Sequence, residues 1–248
     1  MRELAHNTWI IARREFVAYF STPLATIFLT VFVALTGAFA FYVGGFFDRG
    51  QADLAPFFQY HPWLFLLLVP AVAMRLWAEE RKSGTIELLM TLPISPWEAI
   101  LGKFLAAWAF IGVALLATLP MWITVNVLGR PDNAVILSAY LGSFLMAGAF
   151  LAIGSSISAL TKNQVIAFIV AATICFLLVM SGHELVLSVL RAWTPDFVLA
   201  AVASMSFLAH FDPFTKGLID LPSIVYFASL ITFALFANRI FVELKKAD

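Results

Sequence analysis

Six stretches of this chain run without a single Asp, Glu, Lys or Arg: 16–47, 54–74, 104–129, 133–161, 163–183 and 221–238. A helix needs about 20 mainly apolar residues to cross the hydrocarbon core of a bilayer, and each run meets or nearly meets that length. The first run is too long for one crossing and is divided by Pro23. The pattern predicts an all-α polytopic membrane protein with six transmembrane helices, at 23–47, 56–78, 97–128, 134–161, 163–184 and 220–242. A shorter run, 197–211, contains Ser204, Ser206 and His210. It would reach only about 22 Å as a helix, which fits a helix lying at the outer interface before the last span. Ahead of the first span, Trp9, Ala12, Phe16 and Phe20 recur at helical spacing, with Asn7, Arg14 and Ser21 on the other side. Residues 1–22 therefore read as an amphipathic interfacial helix with Arg13 snorkelling from its flank, or as a simple membrane anchor.

One interruption breaks the apolar rhythm. The stretch "EERKSGTIELLMTLP", 79–93, holds Glu79, Glu80, Arg81, Lys82 and Glu87 and then Leu88, Leu89, Met90 and Leu92. A charged side chain costs about 2.5–3.5 kcal/mol at the bilayer centre, so this cluster belongs outside the membrane. Thr85 is placed to cap a short helix, and Glu87 suits the positive end of its dipole. Pro93 ends it by restricting Leu92. A helix of about two turns is unstable alone, so its apolar face needs a cover. That cover is either the chain's own inner surface or another chain.

Composition agrees with a membrane protein. Only 12% of the 248 residues are charged and 62% are hydrophobic, with a mean hydropathy of +0.95. A water-soluble domain carries roughly 25% charged residues. The net charge is zero and no basic block suggests nucleic acid. With both termini inside, Arg2, Arg13, Arg14, Arg75, Arg81, Lys82, Lys103, Lys162, Arg239, Lys245 and Lys246 lie on the inner side. Arg49, Arg130, Arg191 and Lys216 lie outside, a division of 11 against 4. Acidic residues divide almost evenly, so the bias is that of the positive-inside rule and the termini read as cytoplasmic.

Candidate chemistry is sparse. Cys175 sits in an apolar run and has no partner for an intrachain disulfide. His183–Glu184 lacks a second His four positions on, so no metal site is expected. His61, before Pro62 and Trp63, reads as an interface marker, and His210, Asp212 and Lys216 suit a turn around Pro213 and Gly217. None of the six runs holds an Asp, Glu, Lys or Arg, which disfavours an intramembrane enzyme. Gly102–Lys103 is followed by Phe104 and lacks the upstream glycine of a phosphate-binding loop, so no catalytic residue and no cofactor is expected in this chain. Gly142, Gly148 and Gly154 suit close helix packing.

The run "PAVAMRLWAEERKSGTIELLMTLPISPWEAILGKFLAA", 70–107, resembles the second-span, loop and third-span region of ABC-2 type transporter permeases, most of all the gliding-motility-associated branch. "GSSISALTKNQVIAF", 154–168, and "SFLAHFDPFTKGLIDLPSIVYF", 206–227, agree with it in order. The resemblance implies a single 1–248 permease domain of the type V exporter-like fold, at the bacterial inner membrane. It implies a homodimer, or a heterodimer with a related permease, served by separate cytoplasmic ABC ATPase subunits that bind ATP and Mg. The 79–95 loop would be the coupling helix, with Glu79, Glu80, Arg81, Lys82, Gly84, Thr85, Glu87, Leu88, Leu89 and Pro93 at the ATPase. "IARREF" resembles the connecting helix of the family, which adds Trp9, Arg13, Arg14, Phe16 and Phe20. The expected activity is ATP-driven export; the alternative is mechanical transmission to a partner with a periplasmic domain. Membrane lipid is the remaining expected partner.

Overall fold

A computed structural model describes residues 2–86, 94–191 and 193–244, and those residues are helices and short connections, with no strand among them. Helix α1 (Arg2–Phe20) is followed by α2 (Pro23–Ala38), whose first residue fixes φ where an N–H has no helical partner. A wider π-helical turn, Phe39–Val43, extends α2. Next come α3 (Ala55–Phe58), α4 (His61–Ala73) and α5 (Arg75–Ser83). Pro70 has no N–H for the carbonyl one turn back, and the helix is interrupted one turn later at Met74. Gly84, at φ 75°, ends α5 in the left-handed region that side chains avoid.

After the loop, α6 (Pro96–Leu116) opens with a full capping box: Glu98 N–H donates to Ser95 Oγ at 3.3 Å, and Ser95 N–H donates to Glu98 Oε2 at 2.6 Å. It breaks at Ala117–Thr118, before Pro120, and continues as α7 (Leu119–Leu128). Asp132 caps α8 (Asn133–Ser158) and Asn163 caps α9 (Gln164–Met180). Four further helices follow among the described residues: α10 (Glu184–Arg191), α11 (Asp196–Ser204), α12 (Phe207–Thr215) and α13 (Leu221–Leu244).

Among the described residues, five helical tracts are long and apolar enough to cross a membrane: 25–43, 55–83, 96–128, 133–158 and 221–244. Two bent pairs, α9 with α10 at 75° and α11 with α12 at 58°, raise the number to seven if each is one span.

Helix α8 is the axle, packing against α4, α6, α9, α12 and α13. Lipid tails are as apolar as leucine, so close van der Waals fit holds such helices together. The three glycines of α8 supply it within one chain: a Cβ on Gly142 would lie 2.5 Å from Phe214 Cβ, and one on Gly154 would lie 2.5 Å from Ala73 Cβ.

Two outer-side expectations change. The run 197–211 does not form one helix lying in the interface plane. It breaks at Met205–Ser206, where the Ser206 hydroxyl caps α12, and Phe207 and Phe214 are buried. Phe207 stacks on Phe150 at 4.6 Å and Phe214 meets Gly142, so α12 stands antiparallel along α8. His61 is no interface marker. It is buried among Phe32, Phe57, Phe58 and Phe65, with Nδ1 2.8 Å from Ser143 Oγ.

Candidate functional site

The end of the bundle that carries the 84–94 loop holds most of its buried polar chemistry. Its centre is Lys103, at the third turn of α6, with a side chain only 4% exposed. The ammonium donates to Glu80 Oε1 at 2.7 Å, lies 3.6 Å from Glu15 Oε2, and sits 5.4 Å from the centre of the Trp77 ring. One side chain thus ties α6 to α5 and to α1. A buried ion pair is a weak source of net stability against an apolar substitute, because desolvation offsets the Coulomb gain. What it supplies is register: moving α5 against α6 strands a charge.

Helix α1 is set by the same end of α6. Asn7 donates to Glu98 Oε1 at 3.1 Å, Ile11 seats on Gly102, and Tyr19 stacks on Phe110 at 4.8 Å. The sequence offset stays at 91 from the Asn7–Glu98 bond onward, so α1 and α6 run parallel, side by side. A Cβ on Gly102 would come within 2.6 Å of Ile11, which is why this contact needs glycine. Between α1, α5 and α6 lies a cleft of about 240 Å³ lined by Glu15, Tyr19, Thr22, Arg75, Glu79 and Lys103. Burial, with the Glu15 carboxylate adding to it, pushes the Tyr19 phenol well above its ordinary pKa, so it stays neutral.

The interruption at Met74 is repaired from α8. Ser158 Oγ accepts from Trp77 N–H at 3.1 Å and Ala78 N–H at 3.0 Å, and donates to Met74 O at 2.8 Å. A serine from a neighbouring helix here satisfies backbone groups that lipid could not. Ser155 Oγ accepts from Trp77 Nε1 at 3.2 Å and from Asn238 Nδ2 at 2.7 Å, which draws in α13. Arg239 lies over the Trp97 ring, 5.4 Å from its centre, and closes the same end between α13 and α6.

The loop residues singled out from sequence divide sharply. Glu80 joins Lys103, and Arg81 is buried, donating from Nη1 to Ala159 O at 2.5 Å at the α8–α9 turn. Glu79 pairs with Arg75 at 2.9 Å within α5, and Lys82 is exposed. The Thr85 hydroxyl turns back to Ser83 Oγ at 2.9 Å rather than forward, so here it serves the end of α5. Glu87, Leu88, Leu89 and Pro93 lie outside the described residues. On α1, Trp9 is 68% exposed, Phe20 is exposed and edge-on to Phe110, and Phe16 is half-buried against Phe20. Arg14 pairs with Glu15 at 2.6 Å, and Arg13 is exposed. The packing edge of α1 is Thr8, Ile11, Ala12 and Tyr19, which shares Ala12 with the stripe seen in the sequence and leaves its aromatic members at the margin.

Lys103, Glu15, Asn7, Trp77, Ser155, Ser158 and Asn238 escape a reading of the sequence. Lys103 is visible there as an inner-side charge, as the boundary of an apolar run and in a Gly–Lys pair without the phosphate-loop pattern, none of which points to an ion pair. The serines of 154–158 are visible as small residues, a signal that packing alone explains.

A helical chain with several membrane-length apolar tracts, and its polar side chains gathered beneath one loop, is a multi-pass membrane protein. The sequence profile of the ABC-2 family transporter proteins matches residues 9–225. The chain belongs to that family and is a permease component of an ABC transporter, a kind of subunit that is typically non-catalytic and associates with ABC ATPases. A search of the curated proteins found no match.

Proposed function

We propose that this chain is the permease subunit of an ATP-driven exporter in the bacterial inner membrane, dimeric with a second copy or a related permease. Separate cytoplasmic ATPase subunits, carrying ATP and Mg, push on the 79–95 loop. Within the family, residues 70–107, 154–168 and 206–227 favour the gliding-motility-associated branch. The observation that carries the coupling reading is Lys103. It holds the stem of the loop, at Glu80, in one unit with α1 and α6, and Arg81 with Ser158 ties that stem to α8. A force on the loop would reach four helices through these contacts.

Six crossings suit this reading. Helix α9 would cross alone, reaching about 26 Å over its 17 residues, while α10 to α12 stay in the outer half. Both termini then face the cytoplasm, with Arg239, Lys245 and Lys246 on the favoured side. A second reading, mechanical transmission to a periplasmic partner, draws on the short connections at the far end of the bundle, which leave little of this chain to build an outer domain.

The test is co-purification. Leu88→Asp with Leu89→Asp should abolish recovery of the ATPase while the permease still inserts in the membrane. Undiminished recovery would mean that those leucines cover the chain's own surface, and the coupling reading would fall.

A further inference from the structure

Helix α1 has a second flank, facing away from the charged cleft. There an apolar groove of about 650 Å³ runs between α1 and α6. Trp9 and Phe16 of α1 and Leu101, Leu105 and Ala109 of α6 form its walls. Arg13 stands midway along it and is the one charged side chain lining it among the described residues. Its neighbour Arg14 is paired with Glu15, whereas Arg13 makes no ion pair among the described residues. Because α1 and α6 run parallel, Trp9 and Leu101 lie on the loop side of Arg13, and Phe16 and Ala109 lie on its deep side.

That order is the order of a lipid. The deep half of the groove is an apolar slot, the guanidinium stands at the upper end of that half, and an indole, the ring type that settles at headgroup depth, lies in the loop-side half. We propose that this groove holds one acyl chain of an anionic phospholipid from the loop-side leaflet, with the lipid phosphate on the Arg13 guanidinium. The planar fork of arginine suits a phosphate, and basic pockets between membrane helices bind acidic headgroups. A second protein chain is the poorer occupant: covering Arg13 without bringing a carboxylate would strand a buried charge. The bound chain would lie along the α1–α6 seam on the deep side of Gly102, beside Phe16, Leu105 and Ala109, and hold that seam closed. This inference requires only that the chain is embedded in a bilayer and does not depend on the coupling reading.

The experiment uses the full-length permease in nanodiscs of phosphatidylcholine. A minor fraction of brominated phosphatidylglycerol or, separately, brominated phosphatidylcholine serves as the quencher. The Trp9 signal is the difference between the wild type and Trp9→Phe. Bromine on the acidic lipid should quench Trp9 as though that lipid were enriched about fivefold at the groove, the ratio that about 1 kcal/mol per basic side chain implies. Arg13→Gln should remove the preference, and Arg13→Lys and Arg14→Gln should keep it. Equal quenching by the two lipids in the wild type would reduce the groove to unselective solvation and overturn the proposal. Absence of quenching by either lipid would mean that protein, most simply a second copy, fills the groove, and would overturn it equally.

Discussion

The two flanks of α1 differ in what fixes them. On one, Glu15, Glu80 and Lys103 meet in a cleft whose side chains have defined partners. On the other, Trp9, Phe16 and Leu105 border an apolar groove with Arg13 at its middle. Both flanks belong to one helix packed chiefly on α6, and the buried edge of Thr8, Ile11 and Ala12, with Ile11 seated on Gly102, separates them. In a bilayer the difference decides which flank resists displacement. Sliding the apolar side exchanges protein for lipid at little cost, whereas sliding the charged side strands an ammonium or a carboxylate. The charged flank is the one fit to carry force, and the apolar flank is the one fit to yield.

That contrast can be broken from either side. Lys103→Met should have the largest effect, about 3 kcal/mol of destabilisation in a detergent unfolding titration. This is the low end for a broken buried pair, because both carboxylates keep some contact with water. Gly102→Ala, at the seam, should cost about 1–2 kcal/mol by overpacking against Ile11. It should also slow disulfide formation between cysteines placed at Asn7 and Glu98, with Cys175 first replaced by Ala. Leu105→Ala, on the yielding flank, should cost less than about 1 kcal/mol, since its side chain is part-covered by lipid in place of protein. Arg14→Gln removes a pair exposed on one side and should shift stability by less than about 0.5 kcal/mol. A Leu105→Ala penalty equal to that of Lys103→Met would erase the distinction between the flanks.

The apolar runs are legible in the sequence because the bilayer demands uninterrupted length, and five of the six coincide with long helical tracts. The break at Thr118 is not legible, because apolar composition continues across it, and those at Met74 and Met205 fall beside Arg75 and between Ser204 and Ser206, residues that a continuous helix also accepts. Only the fold shows that Ser158 of another helix satisfies the one at Met74. The charged loop stem is legible as something outside the membrane, but not the split within it. Arg81 and Glu80 turn inward and Lys82 outward, a difference set by helical phase against α6 and α8. The amphipathic stripe of α1 is apolar as its spacing predicts, yet of its members only Ala12 is buried, and the neighbouring Thr8, Ile11 and Tyr19 complete the packed edge. Helical spacing of apolar residues marks a face without saying whether lipid or protein covers it.

The central claim, that Lys103 passes movement of the loop into the bundle, is tested most directly by ATP hydrolysis in the reconstituted permease–ATPase complex. Lys103→Met should still co-purify with the ATPase at the wild-type ratio, and should still form the Asn7–Glu98 cysteine cross-link that reports a seated α1. Its permease-dependent stimulation of hydrolysis should be lost. Full stimulation in a cross-link-competent Lys103→Met complex would contradict the account.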